Sequence, residues 1–314
     1  MIKCTCGQQI LSQKIDKHKH IGNEDEKALG KMDIYQCNYC MLSFAYPMPK
    51  LDDLNYYYKS IYRKPGRVHY VANPNQISPG SWEKAQYSYI SLFANFNEMK
   101  HVIDFGAGYG FLLREINRQH KHLNLYTSEL DTKACDYLSK YGINNIDIDN
   151  SHELPKFDLF ISSHNLEHFT DPNIFFKIAK SVLEKNGLLF LEVPNCPFES
   201  KKYLDRLYDG PHLLFFTMDS LKLLLEKHNF EIIHIATNGW SFEKEIELMK
   251  QEYLGKQHLN IFIQWMTNII KNLLPMFFVK WVQKNKYSDF NSLEESFNHY
   301  SGDRWAIRAF ARLK

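Results

Sequence analysis

Val102-Ile103-Asp104-Phe105-Gly106-Ala107-Gly108-Tyr109-Gly110-Phe111-Leu112-Leu113 decides the fold. Two apolar residues before Asp104 read as a parallel strand covered on both faces. Gly106, Gly108 and Gly110 then remove Cβ atoms where the chain turns sharply and a ligand can reach the backbone. Leu112, Leu113 and Ile116 follow at helical spacing, which puts the glycines at a helix N-terminus, where unsatisfied N–H groups favour carboxylate-bearing ligands.

Dinucleotide enzymes use G-x-G-x-x-G; here the spacing is G-x-G-x-G, with Asp104 two positions before the first glycine. A pyrophosphate is poorly served by a carboxylate at the strand end. A ligand carrying both an ammonium and a carboxylate, such as the methionine part of S-adenosylmethionine, suits it better. A second acidic residue roughly 20 positions on, at the end of the next strand, would take ribose hydroxyls, and Leu123-Asn124-Leu125-Tyr126-Thr127-Ser128-Glu129 supplies it as Glu129.

With those residues the chain resembles the class I S-adenosylmethionine-dependent methyltransferases from about Trp82 to Thr237. Further marks are Phe157-Asp158-Leu159-Phe160-Ile161, Leu166-Glu167-His168-Phe169-Thr170-Asp171-Pro172, and the run Leu183 to Asn195. The resemblance implies an α/β, Rossmann-like, seven-stranded and mostly parallel sheet with helices on both faces, its last strand antiparallel. It also implies S-adenosylmethionine as cofactor. Asp104, Gly106, Gly108 and Gly110 would hold its methionine end and Glu129 its ribose, with Asn165 and Glu167 near the reacting sulfur. Asp147, Asp149 and Asn150 lie where this fold meets adenine; they serve equally as turn residues, and Asp149 is the candidate carried forward.

The 314 residues suffice for one large domain plus an appendage, and 44% hydrophobic residues support a sizeable core. A formal net charge of +2, spread over many acids and bases, argues against a nucleic-acid surface. Met1-Ile2-Lys3-Cys4 shows no signal segment, so cytoplasmic residence and reduced thiols are the default expectation.

Of six cysteines, Cys4-Thr5-Cys6 and Cys37-Asn38-Tyr39-Cys40 make two knuckles, whereas Cys135 and Cys196 stand apart. Four thiolates are the ligand set of structural zinc. The first knuckle is C-x-C where C-x-x-C is usual; His18 or His20 could substitute for one cysteine, the commoner reading of both being surface histidines beside Lys17 and Lys19. The other reading is reduced cysteines in a small β-layer. This region resembles the zinc-ribbon-like piece that precedes the core in methyltransferases acting on sugars and related small metabolites. It would occupy 1–62, followed by a linker or lid and lead-in helix (63–98), the cofactor-binding core (99–238), a helical insertion (239–300) and the last strand (301–314). Tyr56, Tyr57, Tyr58 and Tyr62 either face the substrate mouth or pack the small piece onto the core.

Within the core, helices are expected over 82–96, up to 119, 132–141, 173–184 and 219–227, the first capped by Ser81 and the last by Thr217. Strands are expected over 102–105, 123–128, near 146, and over 158–162, 188–193, 230–236 and 306–313. His212 lies on the loop that reaches over the pocket in this fold. Its imidazole is the leading candidate base, with His168 second; the alternative is a histidine bonded to loop backbone. The apolar stretch Leu259 to Val282 is broken by Lys271 and Pro275, which argues against a full membrane span. It reads as a lid helix, a homodimer face or a peripheral membrane contact. The expected activity is methyl transfer to a small metabolite, first a sugar or nucleotide-linked sugar of surface polysaccharide synthesis, at oxygen or carbon. The alternatives are an O-methyltransferase for a lipid-like or aromatic acceptor and a non-catalytic cofactor-binding scaffold.

Overall fold

Alternate residues of each central strand enter different cores. Val102, Leu159, Ile161, Phe190 and Phe310 pack with one set of helices, while Ile103, Phe160, Leu189, Leu191, Ala309 and Ala311 pack with another. A period of two with both faces apolar is the signature of a sheet sandwiched between helical layers. The computed structural model describes residues 4–6, 13–18, 23–65, 71, 74, 79–148, 154–196, 211–241 and 304–314.

The N-terminal region runs β1 (Gln13–Lys17), α1 (Asn23–Leu29), β2 (Asp33–Gln36), β3 (Ser43–Tyr46) and α2 (Leu51–Ser60). The core follows as α3 (Ser81–Ser91), β4 (His101–Phe105), α4 (Phe111–Gln119), β5 (Asn124–Ser128), α5 (Thr132–Ser139), β6 (Asn144–Asn145), β7 (Phe157–Ser163), α6 (Pro172–Val182) and β8 (Leu183–Pro194). Then come β9 (Leu214–Phe215), α7 (Met218–Lys227), β10 (Phe230–Ser241) and β11 (Arg304–Leu313). Seven strands form one sheet in the order β10-β11-β8-β7-β4-β5-β6. β4, β5, β6, β7 and β8 are parallel, and β11 runs antiparallel between β8 and β10. The fold is thus the α/β, Rossmann-like sheet the glycine-rich stretch implied. Its order reverses between β4 and β7, which opens a crevice beyond their carboxyl ends.

Several element ends differ from the sequence expectation. The first core helix is preceded by Gly80, whose N–H donates to Glu83 Oε2 at 2.7 Å, so the cap position belongs to Gly80 rather than Ser81. That helix stops at Ser91 instead of Phe96. α6 ends at Val182, two residues early, because buried Leu183 turns extended and pairs with Phe157 at the start of β8. Asp149, Asn150 and nearly all of the expected insertion, including Leu259 to Val282, lie outside the described residues. Among the described residues no helix is long and apolar enough to cross a membrane.

The N-terminal region forms a second sheet of four strands, β1-β2-β3-β9, whose last member belongs to the core loop before α7. Ser43 pairs with Phe215 and Phe44 with Leu214. The loop carrying His212 is therefore built as an edge of the N-terminal sheet.

Candidate active site

The crevice begins at Asp104, the penultimate residue of β4, buried at 4% exposure. Burial, and then the nearby charge of Glu129, push its carboxyl up to about 8. A desolvated carboxyl that is costly to ionise gains from an incoming cation. The turn that follows is shaped by what a Cβ would strike. At Gly110 the backbone is left-handed, with φ +60°, and caps α4. A Cβ there would lie 2.4 Å from Cδ2 of Leu138, itself fully buried. Gly110→Ala is expected to cost about 3 kcal/mol from left-handed strain plus overpacking. Differential scanning calorimetry should show that as a melting temperature lower by about 6–12 °C.

Gly106, at φ +79°, is crossed by Asn165, whose amide would be 2.8 Å from an added Cβ. Asn165 Nδ2 donates to Phe105 O at 2.9 Å. Glu129, just past β5, accepts the Gly108 N–H at 2.7 Å on Oε2, and those of Leu130 and Asp131 at 2.9 Å each on Oε1. The glycine turn and the second acidic residue thus meet.

Arg63 was missed in the sequence. It stands 2.9 Å from Asp131 Oδ2 and 3.5 Å from Glu129 Oε1, with its guanidinium 5.5 Å from the Tyr109 ring centroid. A Cβ on Gly108 would lie 3.2 Å from it. Its position, opening the linker after Tyr62, is the only hint the sequence holds.

The opposite wall is the short 3-10 turn Leu166–His168. Glu167 is 1% exposed, and neither carboxylate oxygen has a hydrogen-bond partner. Its Oε1 lies 3.5 Å from His164 Nδ1, 4.0 Å from His168 Nε2 and 3.9 Å from His212 Nε2. His168 and His212 lie ring beside ring, tilted by 57°, with centroids 4.9 Å apart. Backbone bonds fix this geometry: Leu213 N donates to Glu167 O at 2.8 Å, and Ala45 N to Leu213 O at 2.8 Å. His18 Nε2 donates to His212 O at 2.8 Å. His18 therefore braces the loop rather than replacing a cysteine. Of the tyrosines, Tyr58 and Tyr62 approach His168, with centroids 5.8 and 6.4 Å away, Tyr57 packs inward, and Tyr56 is exposed.

Behind this wall Glu192 pairs with the guanidinium of Arg308, both completely buried. Burial pushes Glu192 up, but Arg308 and His164 outweigh it and hold the carboxyl at about 2. Burial pushes His164 down; its contacts with Glu167 and Glu192 outweigh that and raise it to about 9.

At the other end Cys4, Cys6, Cys37 and Cys40 converge, with every Sγ within 4.8 Å of the others. Cys4 and Cys40 are 3.6 Å apart and Cys6 and Cys37 are 3.8 Å apart. Ligands about 2.3 Å from a tetrahedral zinc stand about 3.8 Å apart. The bond from Cys40 draws the Cys4 thiol down to about 5. The donor set and its spacing fit that ion, C-x-C knuckle included.

A family model described as a methyltransferase domain matches residues 81–235. Among solved structures, the chain is similar to an S-adenosylmethionine-dependent methyltransferase from Archaeoglobus fulgidus, at 16% identity and TM-score 0.46 over 73% of this chain and 92% of that one. It is similar also to Haemonchus contortus phosphoethanolamine N-methyltransferase 2, bound to S-adenosylmethionine, at 17% identity and TM-score 0.48 over 76% and 54%. A third is an O-methyltransferase of a Brevibacillus brevis multienzyme, bound to S-adenosylhomocysteine, at 16% identity and TM-score 0.42 over 73% and 70%. Residues 81–235, just under half of the chain, therefore match a methyltransferase domain, and they carry the glycine turn, Glu129 and the wall from Asn165 to His168.

Proposed function

We propose that the chain methylates an oxygen of a small polar metabolite in the cytoplasm. A sugar or nucleotide-linked sugar of surface polysaccharide synthesis is the first acceptor, because the N-terminal four-cysteine piece resembles that of enzymes acting on such molecules. The observation that carries the reading is the turn from Asn165 to His168. One end of it presses on Gly106, and the other holds Glu167 against His168 and His212. A donor over the glycines and an acceptor at the histidines would therefore be neighbours.

The residues suit the donor. Buried Asp104 gains an ammonium partner, the bare backbone of the glycine turn admits an amino-acid tail, and Glu129 offers a carboxylate to ribose hydroxyls. Asn165 and Glu167 sit on the side of the reacting sulfur, and Asp149 is proposed for adenine. The bound cofactor supplies a methyl group on a positively charged sulfur. The chain's own task is alignment and exclusion of water, which supplies up to roughly 7–11 kcal/mol in favourable cases, and removal of the acceptor's proton. An imidazole at His212, with His168 beside it, is suited to that proton transfer. Zinc bound by the four cysteines would be structural, remote from this chemistry but fixing the sheet that carries the His212 loop.

The experiment is to measure binding of radiolabelled S-adenosylmethionine and then offer nucleotide-linked sugars, catechols and fractionated cell extract. Label transferred to a sugar fraction is the expected outcome. Label in a lipid or aromatic fraction would replace the sugar by the alternative acceptor, and tight donor binding with no labelled product would support the scaffold reading.

A further inference from the structure

We propose that Glu167, His168 and His212 form a site for a divalent first-row transition-metal ion whose remaining coordination positions face the acceptor. Their ligand atoms lie within 4.8 Å of one another, and two imidazoles with one carboxylate are a ligand set such ions accept while leaving positions open.

Three observations carry this beyond a pair of histidines acting as bases. The first is the orphaned carboxylate. Glu167 is 1% exposed, and both of its oxygens lack hydrogen bonds. Buried carboxylates are retained where a cation or several donors compensate them. Arg308 already neutralises Glu192. Among the described residues the imidazoles of His164, His168 and His212 face Glu167, and the nearest of them, His164, is shared with Glu192.

The second is spacing. A histidine oriented by a carboxylate for proton transfer holds it at hydrogen-bond distance, about 2.7–3.0 Å. Here His168 and His212 stand 4.0 and 3.9 Å from the Glu167 oxygen. Ligands about 2.1 Å from one ion are about 3.0 Å apart when adjacent and about 4.2 Å when opposite. Both nitrogens cannot stand opposite one oxygen; the nearest arrangement is tetrahedral, with ligands about 3.4 Å apart, and the three atoms would close by about half an ångström around an ion.

The third is the tautomer. His168 Nδ1 donates to Pro211 O at 3.3 Å, so in the neutral ring the lone pair sits on Nε2, the atom directed at Glu167. A lone pair facing a carboxylate is unfavourable unless a positive charge lies between them. A ring N–H on a backbone carbonyl is also the usual outer support of a metal-bound histidine.

An ion here would lower the pKa of a bound hydroxyl and orient an acceptor offering two adjacent oxygens. With the ion bound, His168 and His212 would be ligands in place of the base role given above, and the proton of the bound hydroxyl would pass to solvent before the methyl group arrives. The acceptor's part rests on the methyltransferase reading, whereas cation binding does not.

The test uses the full chain with its cysteine site as purified, and Mn2+ as the probe, a hard ion that competes poorly for thiolates. Electron paramagnetic resonance should show one Mn2+ bound per chain, and pulsed measurements should show nitrogen couplings from two imidazoles. Glu167→Gln and His212→Ala should each weaken binding on the order of 100-fold. Donor binding is measured on the same samples. No Mn2+ bound at millimolar concentration, bound Mn2+ without nitrogen coupling, or affinity unchanged in both variants would overturn the site. Failure of the cation with donor binding intact removes this inference alone, whereas failure of donor binding with Mn2+ bound removes the methyltransferase reading alone.

Discussion

Asp104→Asn is expected to lose affinity for S-adenosylmethionine on the order of 100-fold while making the ligand-free protein more stable at pH 8.5. The loss follows from removing a charge-assisted bond to an ammonium, worth about 1.5–3 kcal/mol. The gain follows from proton linkage. The carboxyl of Asp104 is raised from its unfolded value of 3.8 to about 8, first by burial and second by Glu129. Between those values the folded chain holds a proton that the unfolded chain has released. Stability therefore falls as pH rises from the ordinary carboxylate range to about 8, by at most roughly 5 kcal/mol. Asparagine carries no such penalty. Melting curves of the two proteins should coincide near pH 4 and separate above it, the variant melting several degrees higher at pH 8.5. Saturating donor should raise the parent's melting temperature more at pH 8.5 than at pH 6, and the variant's little at either. Calorimetry showing undiminished donor affinity in the variant would remove Asp104 from the site.

Cys37→Ser is expected to abolish turnover through a residue far from the chemistry. Cys37 is completely buried, and its sulfur lies 3.8 Å from that of Cys6. Structural zinc contributes apparent folding free energies of about 10–16 kcal/mol in small modules, more than a four-stranded layer can replace. Without an ion between the four sulfurs, β3 would lose its anchorage. With β3 go the pairing to Leu214 and Phe215, the bond from Ala45 N to Leu213 O, and the His18 brace on His212. Bound zinc should fall from about one per chain to none, residues 1–65 should become sensitive to trypsin, and methyl transfer should drop at least 100-fold. The core transition in a melting curve should persist, because the seven-stranded sheet has its own buried layers. A purified parent protein devoid of zinc yet fully protected from trypsin would end this reading.

What the sequence revealed and what it hid divide along chain distance. The β4 strand, its glycine turn and Glu129 lie within 29 residues, and local pattern suffices there: apolar run, glycines, helical spacing, acidic residue at the next strand end. The antiparallel insertion of β11 was legible only through family resemblance, since nothing between 306 and 313 announces its neighbours. Arg63 and His18 were obscure for a related reason. Each acts on a partner far away in the chain, Asp131 and the backbone of His212 respectively, and neither belongs to a periodic pattern. The hydrogen-bond deficit of Glu167 was invisible too. A sequence shows an acidic residue beside a histidine, but only packing shows that water has been stripped from it.

The strand shared between the two sheets constrains how this protein can be re-engineered. Exchanging only the first sixty or so residues with those of a relative would leave Leu214 and Phe215 to find hydrogen-bond partners on a foreign edge. A viable graft must carry the segment 211–217 along with its amino-terminal half, although some 150 residues separate them. Specificity for the acceptor would then be transplanted as a discontinuous unit, composed of one stretch from each sheet.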